Sequence, residues 1–385
     1  MRNGRRRALG ALVAIGALGI AGVLPVAAQP PGWTIVADGL AGPRGLTLGP
    51  DGTLYVAISG TGGSECFDHP VFGKACVGTS SGIVAIGTDG TIVPLVSGLP
   101  SVAFGDEAKN PTGVSHLFLG PDGAFIATVG LGGEPEYRDG LPVVGKELMG
   151  TVIRVVPGEA PVVIADLAAA EAATNPDQGD PTSTIDSNAY GVALAPDGSI
   201  WAADAGGNTI YAIDASGTLS VVAVLHATMV PAPTAPGASP DPAASPVLIP
   251  MQSVPTGIAA GPDGAAYVTQ LTGAPFPLGG AAVWRIVPGE EPTVYASGFT
   301  NVVDLAFDAD GSLLVLEYAT NRIPSGDLTG GLWRVPAGGG TPVQIASEGL
   351  TAPGGIEVAP DGTIYVSTLT PRSGGGQILA LAPGS

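Results

Sequence analysis

The chain is poor in the residues that most chemistry calls for. Its 385 residues include two cysteines, three histidines, and 14 lysines and arginines against 33 aspartates and glutamates. The three histidines are far apart in sequence, which leaves little from which to build a catalytic zinc site or a nucleophile–histidine–acid triad. A formal charge of −19 argues against nucleic acid or an anionic membrane as partner. The sequence has no Gly-rich phosphate loop and no His-Glu-x-x-His motif. Helical patterning is scarce too. Asp166 to Thr174, alanine-rich with an Asp at its start and Pro176 as a stop, is the one helix the sequence spells out.

Turn chemistry is what the chain has in quantity, with 61 glycines and 37 prolines and no collagen period. Gly354 to Val366 shows how it is used. An alternating apolar run leads into Pro360-Asp361-Gly362, and a second alternating run leaves it. Gly takes positive φ freely and Asp bonds its own backbone, so the segment reads as a β-hairpin.

The pattern recurs at Asp51-Gly52, Asp122-Gly123, Asp197-Gly198, Asp263-Gly264, Asp310-Gly311 and Asp361-Gly362, at intervals of 71, 75, 66, 47 and 51 residues. A second pair of strand-like runs follows each hairpin, as in 283–287 with 293–295. Four short antiparallel strands per unit predict an all-β, six-bladed β-propeller. The last unit lacks a strand. Trp33 to Leu40 resembles Val343 to Leu350, the fourth strand of blade five, so it is expected to complete blade six and close the ring.

Residues 29–385 then form one domain, with a Pro/Ala/Ser-rich insertion at 227–250 read as extended and mobile. Residues 1–28 read as a cleaved export signal: Arg2, Arg5, Arg6 and Arg7, an apolar stretch from Ala8 to Leu24, and Val26-Ala27-Ala28 before the cut. The paired arginines leave a twin-arginine route open. A retained anchor is the competing reading, and the Gly/Ala-rich stretch is marginal in length for it. Cleavage gives a secreted or periplasmic protein, expected to be monomeric. Export makes a disulfide between Cys66 and Cys76 the expectation. Zinc would need more ligands than these two thiols and His69.

Every long insertion falls between strands two and three of a unit or between units. Those connections share one face of the disc, where binding sites usually sit. The segments 98–111 and 130–150 read as loops of this kind.

Aligning the hairpins gives two rings of residues. Six positions before the pivot Asp stand Gly45, His116, Gly191, Gly257, Asp304 and Gly355. Blades two and five lie opposite each other, so His116 and Asp304 are expected to face each other across the channel as an acid/base pair or a cation site. Seven positions after the pivot stand Ile58, Val129, Asp204, Gln270, Glu317 and Thr368. Asp204, Gln270 and Glu317, with Asn188 and Tyr190, then offer oxygens at the looped mouth, and Arg44 adds a cation. Asp204, Glu317 and Asp304 are the candidate metal ligands, and Ca²⁺ is the ion they suit. The bland alternative is that these side chains cap strand ends.

Several strings resemble the ScyD/ScyE family of secreted bacterial propellers: Asp186-Ser187-Asn188-Ala189-Tyr190-Gly191-Val192, Ala203-Asp204-Ala205-Gly206-Gly207-Asn208, Gln270 to Pro277, and Gly298 to Phe307. The resemblance implies an exported six-bladed propeller without an assigned reaction. More distantly the hairpins look like NHL repeats and the gluconolactonase/regucalcin-like propellers. Those carry a metal-binding Glu where this chain has Pro43-Arg44-Gly45. The function expected is therefore binding of a small polar ligand, a glycan or a partner protein on the looped face. The alternative is a metal-assisted lactonase-like hydrolase or a sugar oxidoreductase.

Overall fold

In the computed structural model, residues 32–69, 73–105, 109–233, 245–371 and 374–383 are described. The export signal expected at 1–28 and the middle of the 227–250 insertion lie outside them. Among the described residues no helix is long and apolar enough to cross a membrane.

The described residues form six radial antiparallel sheets, five of four strands and one, blade one, extended to six. Their innermost strands are Pro43–Leu48, Val114–Leu119, Ala189–Leu194, Pro255–Ala260, Val302–Phe307 and Gly355–Val358, and each packs on the next around the hub. The turn chemistry produces this geometry. At the first hairpin Asp51 Oδ1 accepts from Thr53 N at 3.1 Å, and Gly52 takes φ +83°. The Asp ties the backbone down while Gly supplies the left-handed residue that closes a type I hairpin turn.

The ring closes through its two ends. Trp33–Leu40 pairs with Gly376–Leu381, with Trp33 opposite Leu381 and Leu40 opposite Gly376. Trp33 is 2% exposed and packs with Leu332, Ile364 and Leu379, so closure buries a large aromatic between blades five and six. Most of the core lies in such inter-blade layers, one example being Ile258, Val268, Trp201 and Ile210.

Three connections differ from the expectation. The described residues of the 98–111 segment are mostly strand, because Ile92–Phe104 runs on and pairs with both Gly73–Ile86 and Lys109–Thr112. The Cys66–Cys76 disulfide forms, and it joins directly opposed residues of a hairpin. Ala75, Val77, Val102, Leu131, Leu141 and Met149 pack this extension against blade two, so its apolar face gains a core of its own. The 130–150 segment holds helix α1 (Val143–Leu148) after a 3₁₀ turn. Helix α2 (Leu167–Thr174) follows as expected, with Asp166 capping it by accepting from Ala169 N at 2.9 Å. The described ends of the 227–250 insertion are paired rather than free, since Thr228–Pro231 pairs with Leu248–Met251.

Candidate functional site

The inner strands approach closely at the hub. An added Cβ on Gly45 would sit 2.5 Å from His116 Cδ2 and 2.9 Å from His116 Cα. One on Gly257 would meet Asp304 Oδ1 and lie 2.7 Å from Asp304 Cα, and one on Gly355 would lie 2.8 Å from Gly45 Cα. The four glycines of this ring therefore serve close approach of neighbouring inner strands. They leave the middle to the two large polar residues. His116 Nε2 lies 3.5 Å from Asp304 Oδ2, with side-chain exposures of 12% and 2%.

Asp304 is fixed by two amides: Leu305 N donates to Oδ1 at 2.9 Å and Ile356 N to Oδ2 at 3.0 Å. Burial pulls the His116 pKa down, but the adjacent Asp304 carboxylate outweighs it, and the imidazole titrates above its ordinary value. His116 Nδ1 is buried without a hydrogen-bond partner. Glu357, two residues beyond Gly355, is the third member. Burial pushes its carboxyl up to about 7, with His116 opposing and Asp304 adding to the shift.

The strand-end residues do not gather at a mouth. Asp204 is fully buried: Oδ1 accepts from the backbone amides of Asn188 (2.6 Å), Gly206 (3.1 Å) and Gly207 (3.2 Å), and Oδ2 from Ser187 Oγ (2.7 Å). Glu317 Oε1 accepts from Thr300 N at 2.6 Å and Oε2 from Trp333 Nε1 at 2.7 Å. Gln270 Oε1 accepts from Trp284 Nε1 at 3.2 Å, while its Nε2 donates to Ser253 Oγ at 3.2 Å. Each side chain ties the end of its own strand to the segment entering the same blade. Their oxygens are consumed there, and the expected ligand set of Asp204, Glu317 and Asp304 is not assembled. Among the described residues no three acids, histidines or cysteines come together as a metal site.

Arg44 does stand at the looped side of the hub. Its Nε donates to Ser59 Oγ (3.2 Å), Nη2 to the Pro111 carbonyl (3.0 Å) and Nη1 to Tyr190 Oη at a long 3.5 Å. Tyr190 is 8% exposed, and burial raises its phenol pKa, as it does that of nearby Tyr318. Asn188 donates its amide to Asp204 and leaves Oδ1 buried without a partner.

Sequence reading missed an acidic pocket beneath this face. Glu171, on the inner side of α2, is fully buried with Asp177 and Asp204 close by and Asp186 beyond. Burial pushes Glu171 up to about 8, with the Asp204, Asp177 and Asp186 charges adding to the shift. Asp186 rises to about 6. The signal lay in an acid on the apolar side of an alanine-rich helix. A Gly-x-Ser-x-Gly pattern at Gly78 to Gly82 was also missed. It lies inside a strand rather than at a strand-to-helix elbow. Its Ser80 Oγ donates to the Gly62 carbonyl (2.7 Å) and accepts from Thr61 N (2.9 Å), which stitches a loop rather than arming a nucleophile.

Neither a family model nor a curated protein matches the sequence. Solved structures do match in fold. One is a gluconolactonase from Xanthomonas campestris, 11% identical, covering 91% of this chain and 89% of that one, at a TM-score of 0.52. Another is the PQQ-bound aldose sugar dehydrogenase of Streptomyces coelicolor, 17% identical, covering 91% and 99%, at 0.50. A third, of unknown function, from Bacteroides thetaiotaomicron, is 11% identical, covers 92% and 76%, and scores 0.53. This chain shares their propeller architecture. At these identities the likeness extends to the fold alone.

Proposed function

We propose that the chain is an exported, ScyD/ScyE-like propeller whose looped face binds a small polar ligand without converting it, with Arg44 holding a carboxylate or similar anion. Arg44 itself carries the reading. It is half-buried at the hub in a strongly acidic chain, it makes no ion pair among the described residues, and its bond to Tyr190 is long. A guanidinium held by neutral partners keeps its charge available for an incoming anion. Tyr190 and Tyr318 beside it supply amphipathic surface for a sugar-like body. The disulfide, compatible with an extracellular protein, supports export.

The test is a thermal-shift and calorimetric titration with gluconate beside glucose. Gluconate is expected to raise Tm while glucose does not, and Arg44→Ala should abolish the gain. An equal response in the Arg44→Ala variant, or no response to any carboxylate, ends the reading.

The buried His116–Asp304 pair favours a second reading as an enzyme, in the manner of the lactonase and sugar dehydrogenase named among the structural neighbours. The strand-end side chains committed within their blades weigh against it. Hydrolysis of gluconolactone, or oxidation of glucose with a dye acceptor, lost on His116→Ala, would establish it instead.

A further inference from the structure

A second site stands on the opposite face. Where blades six, one and two meet, the Asp-Gly turns enclose a depression of about 560 Å³. Its walls are Leu48, Pro50, Leu119, Pro121 and Pro360, and the one ionisable side chain lining it is Glu357. This is the composition of a small-molecule site: a mostly apolar cavity within the usual volume range, with one placed polar group.

We infer that this depression binds a small organic ammonium ion, with Glu357 as its counter-charge and the proline and leucine walls covering its apolar body. The sign of the charge comes from everything around it. Glu357 forms no ion pair with a lysine or arginine among the described residues. Its charged neighbours from the packed inner strands are His116 and Asp304, and these two face each other. Asp51, Asp122 and Asp361 follow the three lining prolines, each bonded to its own turn. Of these acids, Asp122 also meets a cation, Arg154. The rim is therefore predominantly negative, and the whole chain at −19 draws cations toward it. An anion would meet Glu357 and the rim acids together.

The carboxyl also makes binding pH-dependent. Glu357 titrates near 7 in the free protein. A bound ammonium favours the ionised form, so binding at pH 7 releases a fraction of a proton. If the ionised form alone binds, affinity falls by several tens of fold, roughly 50- to 100-fold, from pH 8 to pH 5.

The experiment is isothermal titration of the purified protein with benzylammonium, beside benzyl alcohol as the neutral isostere, in two buffers of different ionisation enthalpy. The expected result is saturable binding of benzylammonium, at least ten-fold weaker binding of benzyl alcohol, and proton release at pH 7. Glu357→Gln should abolish binding. Pro121→Lys, a substitution on an exposed turn that places a cation at the rim, should do the same and decides the matter if the Gln variant does not fold. Arg44→Ala should leave benzylammonium binding unchanged, which separates this site from the one on the looped face. No binding by the wild-type chain, equal affinity for the neutral isostere, or unchanged affinity in Pro121→Lys overturns the inference.

Discussion

Replacing Glu171 by glutamine should remove a pH dependence that this side chain imposes on folding. The carboxyl is fully buried on α2, and its Oε2 has no hydrogen-bond partner. Its ordinary value of 4.5 rises to about 8 in the fold. The folded state therefore holds a proton that the unfolded state releases above pH 4.5. Stability linked to Glu171 is full below that value, declines as pH rises, and is gone above about pH 8.

At about 1.4 kcal/mol per unit, the shift sets a ceiling of about 5 kcal/mol. Asp186 and Asp204, whose carboxyls burial also pushes up, share the pocket's protons, and coupling of this kind makes about 2 kcal/mol the working figure. Glutamine is neutral at every pH. The stability of Glu171→Gln relative to wild type should thus grow from pH 5 to pH 8.5 by about that amount. Thermal unfolding followed by tryptophan fluorescence at half-unit pH steps, with urea melts at the two ends, measures it. Parallel curves would refute the reasoning, because Glu171 would then titrate alike in both states. A difference that shrinks with pH would refute it more sharply, since the ionised carboxylate would then be the stabilised form.

Other outcomes follow from the same geometry. Gly257→Ala should cost about 2 kcal/mol or more in urea unfolding, because the new methyl meets the Asp304 backbone and neither strand can withdraw. Below pH 6.5, Asp304→Asn should cost up to about 3–5 kcal/mol by taking the carboxylate from a buried imidazolium, and less as the imidazole gives up its proton. It should also lower the His116 pKa, read from the imidazole NMR titration. In the wild type, the stability held by His116 is present below pH 6.5 and lost as pH rises through its folded value. Trp33→Ala should cost about 3–5 kcal/mol and expose the closing seam between the first and last strands to proteolysis.

The architecture was legible because its determinants are local. An Asp-Gly pivot and period-two alternation specify a hairpin within a dozen residues, and six such hairpins leave only the ring to be inferred. Closure was legible for a related reason: Trp33 to Leu40 repeats a strand found elsewhere in the chain. Side-chain roles were harder to read because they are settled across long separations. Asp204 and Glu317 look like free ligands when counted from the pivot, yet Asn188 N and Thr300 N, each about 16 residues upstream, take up their oxygens. Glu171 shares a helix face with Leu167 and Ala168, but the acids that crowd it come from blade three, which folds Asp204 and Gly207 against it.

The ring alignment placed His116 and Asp304 in one tier. It said nothing of depth, and depth decides their role. In an open channel the pair would be hydrated and free to exchange protons with a substrate. Here four glycines let the inner strands close around it, so the pair joins blades two and five as a buried strut. The consequence falls on Glu357, which lines a cavity on the turn face and is pushed up in pKa by burial and by Asp304, with His116 opposing. The repeat therefore places polar groups at both ends of the same hub, Arg44 toward the loops and Glu357 toward the turns, with opposite charge and the His116–Asp304 pair in the tier between them. Ligands of opposite sign at the two faces are what such a hub would select. Titration with gluconate and benzylammonium together should show independent, additive heats, because the two ends share no side chain.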